Sequence, residues 1–255
     1  GVFVNNGTLS IKESIFAANT STGNGGVLLN NGNVSEISDT LFKDNSAISG
    51  GAIYNDNTIQ TIKNVSFVGN TADEYGGAIY TTSAGGIEAF IADSSVTFRN
   101  NTAGVAGGAI YNEGEISIVA RNGNIIFENN TDDGAYNDVF NTGTLKLYSE
   151  ENHPITFGGT IGGNDSGSII FNGEPETAWG LSLGGTFIVN NAIENNALFI
   201  GSGTLLLGSQ LQQNGSTTYG SLNLTDITSS GYAVLDAQNS HIDDIYLGNY
   251  NADLE

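Results

Sequence analysis

The sequence predicts an all-β protein, a parallel β-helix of three-sided coils, and three observations predict it. A motif of constant order recurs five times within the first 142 residues. The recurring pieces are short and β-branched, and they lack the 3.6-residue apolar period of a helix. The composition is rich in Gly and Asn and poor in Pro and charge, with 36 Gly, 33 Asn, 2 Pro and 13% charged side chains in 255 residues.

The first half of the motif is Phe-x-x-Asn, found at Phe16 and Asn19, Phe42 and Asn45, Phe67 and Asn70, Phe98 and Asn101, and Phe127 and Asn130, each followed by Thr or Ser. A Phe at this period points inward and stacks on the Phe of the next coil. The Asn can take the left-handed conformation at a turn and bond the Asn above it.

The second half is a Gly pair with a short strand: Gly25-Gly26 before Val27–Asn30, then Gly50-Gly51-Ala52-Ile53, Gly76-Gly77-Ala78-Ile79 and Gly107-Gly108-Ala109-Ile110. The glycines permit a sharp turn where a Cβ would clash, and the Ala packs under the crowded corner. The fifth copy has decayed to Gly134-Ala135, followed by Asp138-Val139-Phe140-Asn141.

Successive motif Phe residues lie 25 to 31 apart. Helical repeats need helix pairs and propeller blades need about 40 residues or more, whereas three short strands with tight turns need about 20 to 30. At about 25 residues per coil the chain makes about ten coils, a rod of roughly 50 Å. Strand-like runs continue past residue 142, at Thr144–Tyr148, Ile155–Phe157, Ser168–Phe171, Gly185–Val189, Ala197–Ile200, Thr204–Leu207, Ser221–Leu224, Tyr232–Leu235 and Asp244–Leu247. No linker or charge block intervenes. Residues 1–142 therefore read as motif-bearing coils, and residues 143–255 as a continuation of the same β-helix with degenerate coils.

The formal charge is -21, from six Lys plus Arg against 27 Asp plus Glu. It argues against nucleic acid, polyanionic glycans and anionic membrane, each of which needs a basic face. The absence of Cys removes disulfides, thiolate metal sites and a cysteine nucleophile. No apolar run approaches the ~20 residues of a membrane helix. The chain reads as a fragment of a longer, exported protein.

A polysaccharide-active β-helix would need converging carboxylates. The adjacent pairs Asp132-Asp133 and Asp243-Asp244 point to opposite faces of a strand, and His153 and His241 lie far apart with no Ser or carboxylate pattern around them. Gly162-Gly163-Asn164-Asp165 lacks the offsets of a calcium-binding nonapeptide. The reading is therefore no enzyme, no catalytic residue, no dedicated metal or cofactor site, and at most weak calcium at surface carboxylates.

The motif residues read as mainly structural. Tyr54, Tyr80 and Tyr111 occupy equivalent positions and form one column, buried or exposed. If it is exposed, with Asn55 and Asn112 beside it, it is a candidate surface for stacking on sugars. Three segments suggest recognition loops: Thr81–Phe90, which accounts for the 31-residue coil; Ser149–Pro154; and Glu174–Trp179, where Trp179 is the only Trp and a candidate contact.

Phe-x-x-Asn alternating with Gly-Gly-Ala-Ile resembles the polymorphic outer membrane protein family of bacterial autotransporters, best known from chlamydiae. Residues 15–142 carry the resemblance. It implies a passenger-domain fragment, folded as a right-handed β-helix and exposed on the bacterial cell surface, with its membrane barrel outside these 255 residues. It also implies attachment to host cells. On that reading the protein is a surface adhesin whose partner is a host-cell surface protein or glycan, with no nucleic acid, and with membrane reached only through the barrel. Self-association into bacterial clumps is the second reading.

Overall fold

The computed structural model describes residues 1–173 and 184–200, and beyond them the strand segments 203–207, 209–213, 216–219, 221–229, 233–236 and 245–246. One turn shows the plan. Its strands are Ile53–Asn55, Thr58–Lys63, Ser66–Val68 and Thr71–Ala72. Each pairs in parallel with the equivalent strand one turn earlier and one turn later. The first two strands share a sheet and are separated by the bend at Asp56-Asn57. The Phe-bearing strand forms the second sheet and the Thr-Ala strand the third, which gives a three-sided parallel β-helix.

Alternation sets which residues face in. Ile53 and Asn55 are buried and Tyr54 between them is half-buried, while Ile59 and Ile62 face inward from the longer strand. Phe42, Phe67, Phe98 and Phe127 are fully buried. The rings stack in register, with centroids 5.4 Å apart for Phe16–Phe42, 5.0 Å for Phe42–Phe67 and Phe67–Phe98, and 4.5 Å for Phe98–Phe127. Such pairs are each worth about 0.5–1.5 kcal/mol beyond area burial. Phe157 extends the stack by one ring at 4.6 Å, although its segment Phe157-Gly158-Gly159-Thr160 has lost the Asn.

Asn19, Asn45, Asn70, Asn101 and Asn130 form a hydrogen-bonded ladder. Each Nδ2 donates to the Oδ1 of the next Asn at 2.9–3.0 Å. From Asn45 onward, Nδ2 also donates to the Phe carbonyl one turn back, as from Asn70 to Phe42 at 3.1 Å. The left-handed residue is not the ladder Asn but the one before it, namely Ala18, Asp44, Gly69, Asn100 and Asn129, with φ of 54 to 68°. The sharp bend therefore sits one residue early, which leaves the Asn free to aim along the axis.

The two glycines of the pair do different jobs. Gly76 has φ 62°, and a Cβ there would run into the Ile79 carbonyl; a Cβ on Gly77 would strike the Gly108 carbonyl of the next turn. The first glycine makes the turn and the second lets neighbouring turns approach.

About seven turns run to Val189, and further parallel strands bring the Phe-bearing sheet to nine. Turns lengthen from Phe67 onward, with 31, 29 and 30 residues separating Phe67, Phe98, Phe127 and Phe157. The pairing crosses residue 142: Thr144–Ser149 pairs with Glu115–Ala120, and Ile155–Phe157 with Ile125–Phe127.

Candidate contact surface

Because Ile53, Ile79 and Ile110 face in, their neighbours Tyr54, Tyr80 and Tyr111 face out. Register aligns Val4, Leu29, Tyr54, Tyr80, Tyr111, Phe140 and Gly162 in one outward column. Its rings are nearly parallel, at 4.9 Å for Tyr54–Tyr80, 5.2 Å for Tyr80–Tyr111 and 5.3 Å for Tyr111–Phe140. Tyr75, from the loop before the Gly pair, leans against Tyr111 at 4.8 Å and Tyr80 at 6.2 Å.

This geometry corrects the sugar-stacking expectation in two respects. Each ring face inside the column is covered by the next ring, so what looks outward is ring edge and hydroxyl. Asn55 and Asn112 are fully buried. They belong to a second internal ladder, in which Asn5 donates to Asn30 and Asn30 to Asn55 at 2.8 Å, while Asn112 donates to Asn141 and Asn141 to Asn196 at 2.8 and 2.9 Å. Between Asn55 and Asn112 stands Thr81, whose buried Oγ1 has no partner.

Burial, then the carboxylates of Asp56 and Glu113, push the Tyr54 hydroxyl above its ordinary pKa. Burial and then Glu113, which also accepts its hydrogen bond, raise Tyr80, and burial and Glu113 raise Tyr111. All three phenols therefore stay protonated at neutral pH.

The cations lie elsewhere. All six Lys and Arg side chains make ion pairs, Lys12 with Glu36, Lys43 with Asp44, Lys63 and Arg121 with Asp93, Arg99 with Glu128, and Lys146 with Glu115. Each stands on or directly after a strand of the longer column or of the Phe column. The Arg121 pair is bidentate, at 2.6 Å for both contacts, and with Lys63 at 2.8 Å it holds the Asp93 carboxyl well below the usual range.

The expected loops resolve differently. The five extra residues of the 31-residue coil fall in two places. Register shifts by two between Tyr80 and Ile87, and by three between Ile91 and Phe98. Phe90 is core, 1% exposed, and packs on Phe67 and Phe98, so Thr81–Phe90 is not a projecting loop. Ser149–Pro154 is a closed turn in which Ser149 Oγ donates to the His153 carbonyl at 2.8 Å. Trp179, the rest of Glu174–Trp179, and the Asp243-Asp244 and His241 positions lie outside the described residues.

Asp132 and Asp133 diverge: Asp132 is buried on the Gly107 amide at 2.9 Å, and Asp133 is exposed. Among the described residues no three His, Cys, Asp or Glu side chains are grouped to hold an ion. A shallow groove of about 370 Å³, lined by Ser14, Ile15, Asp39, Thr40, Leu41, Asn64, Ser66 and Ser94, was not foreseen. Its residues come from turns and outward positions whose identity changes from coil to coil, so no repeat signals it.

Residues 39–56, 64–82 and 95–113 match the family model of the Chlamydia polymorphic membrane protein repeat. Over residues 39–113 the chain is similar to the repeats of that family. Each matched segment spans the Phe strand, the Thr-Ala strand, the Gly pair and the Tyr strand, and stops short of the longer strand at Thr58–Lys63, Gly86–Ala92 or Glu115–Ala120. The constant part of the repeat is thus the part whose side chains stack on their own kind. No curated protein and no solved structure matches the chain.

Proposed function

We propose that the protein is part of the surface-exposed passenger of an outer-membrane autotransporter and acts as an adhesin, a rigid rod that presents its outer faces to host cells. The repeat match carries this reading. The motif Phe, Asn and Gly residues from the second turn onward are consumed by the internal ladders, so contact falls to outward positions, foremost the Tyr column. Regular spacing along a stiff axis lets weak contacts add through multivalency. Self-association is the second reading.

Beads coated with the protein, mixed with epithelial cells, test it. Attachment without bead–bead clumping is the expected result. Clumping alone would move the function to self-association, and neither would reduce the chain to a stalk.

A further inference from the structure

We propose that the column of Tyr54, Tyr80 and Tyr111 docks a cationic, extended polypeptide segment of the partner, one that carries Arg or Lys at intervals. This rests on the contact-surface reading above and adds the chemistry of what is bound.

The argument starts from how charge is divided. Every Lys and Arg side chain is engaged on the longer column or the Phe column. The strands of the Tyr column, and the bends and Gly-pair loops that flank them, carry only acids: Asp56 and Glu113 on one side, Asp73 and Glu74 on the other. Asp56, Asp73 and Glu74 are exposed, and Glu113 is half-buried at the Tyr80 hydroxyl. The strip is therefore aromatic along its crest and anionic along both flanks, with no internal counter-charge.

A neutral sugar stacks on ring faces, and here those faces are taken by neighbouring rings. An acidic glycan would be repelled by the flanks. Arg and Lys fit both parts of the strip: the aliphatic stem lies across apolar ring edges, and the charged head reaches a carboxylate. For Arg that contact is charge-assisted and can be bidentate.

The test uses the full chain and an immobilised ten-residue peptide of alternating Arg and Ser, with a second peptide bearing Glu in place of Arg. The Arg peptide should bind and the Glu peptide should not. Joint substitution Glu113→Gln and Asp56→Asn should weaken binding at least tenfold, as should Tyr80→Ser in protein verified as folded by circular dichroism. Glu13→Gln with Glu151→Gln removes the same charge at exposed positions away from the column and should change affinity less than twofold.

Equal weakening by both charge pairs would mean general attraction to a -21 chain and would overturn the proposal, as would no binding of the Arg peptide. The same variants on beads separate the two layers. If Tyr80→Ser abolishes cell attachment while Glu113→Gln with Asp56→Asn does not, the column is the contact surface and the cationic partner is wrong. If every variant still attaches, the contact surface itself lies elsewhere.

Discussion

Asp138 Oδ1 accepts the Nδ2–H of Asn130 at 2.8 Å, and this one bond ends the asparagine ladder that begins at Asn19. The Asp138 carboxyl is fully buried, and its other oxygen takes the Gly159 amide at 2.6 Å. Nearby, Asp132 stands where earlier turns have Ala47, Ala72 and Ala103, and its carboxyl accepts the Gly107 amide. In earlier turns a backbone carbonyl does that work, as Ala106 does for Gly76. The decayed fifth copy folds back as a hairpin, Thr131–Asp132 against Ala135-Tyr136, and two carboxylates replace the acceptors it has lost.

This repair makes stability pH-dependent. Burial raises the Asp138 pKa from 3.8 to about 7 against the opposing Asn130 and Gly159 donors, and burial likewise raises Asp132 to about 6. Below about pH 4 the carboxyls are protonated folded and unfolded alike. Between there and about 7 the folded protein keeps protons that the unfolded chain has released, so stability falls as pH rises and then levels off. Each group contributes at most about 1.4 kcal/mol per pH unit. Urea melts at intervals from pH 4.5 to 8 should show the decline, and Asp138→Asn should flatten it; an unchanged slope in that variant would refute the assignment.

Asn70 offers a test in the middle of the ladder. Its Oδ1 accepts both the backbone and side-chain N–H of Asn45, and its Nδ2 reaches Phe42 O and Asn101 Oδ1. Asn70→Ala strands several buried groups at once and should cost about 3–5 kcal/mol. The equivalent change at Asn19, on the half-exposed first turn, should cost about 1 kcal/mol. Denaturant unfolding of the two variants checks the ratio.

How much of this was legible follows from the same ladders. A column that bonds its own kind, such as Asn45 to Asn70 or Phe42 on Phe67, needs constant identity and so shows as a repeat. The strand Thr58–Lys63 needs only apolar residues at Ile59 and Ile62, and its counterparts hold Val34 and Ile37, or Ile87 and Phe90. Its inward positions vary among Val, Ile, Leu and Phe, so no fixed motif marks the strand. Strict alternation from Ile53 does place Tyr54 outside and Asn55 inside, a signal present in the sequence. The Asp138 cap was illegible, because a decayed motif does not announce which residue takes over the lost bond.

Gly77→Ala should be far costlier than its size suggests. The added Cβ would meet the Gly108 carbonyl and the Thr102 backbone, which themselves belong to the next turn's ladder. A loss of about 3 kcal/mol is expected, whereas Gly23→Ala, with open space around it, should change stability by less than about 0.5 kcal/mol. Thermal melts of both would decide, and a mild Gly77 variant would show that adjacent turns can separate.

Thr81 interrupts the second Asn ladder with a buried hydroxyl that has no partner. Leaving such a group unsatisfied costs about 1–3 kcal/mol. Thr81→Val keeps the β-branched shape the strand favours and removes only the hydroxyl, so it should stabilise the protein by about 1 kcal/mol. Thr61→Val, on the preceding turn and half-exposed, should be near neutral. A stabilised Thr81 variant beside an unchanged Thr61 variant would show that the break in the ladder, and not valine's strand preference, is what the substitution relieves; loss of stability at Thr81 would mean its hydroxyl is bonded in solution.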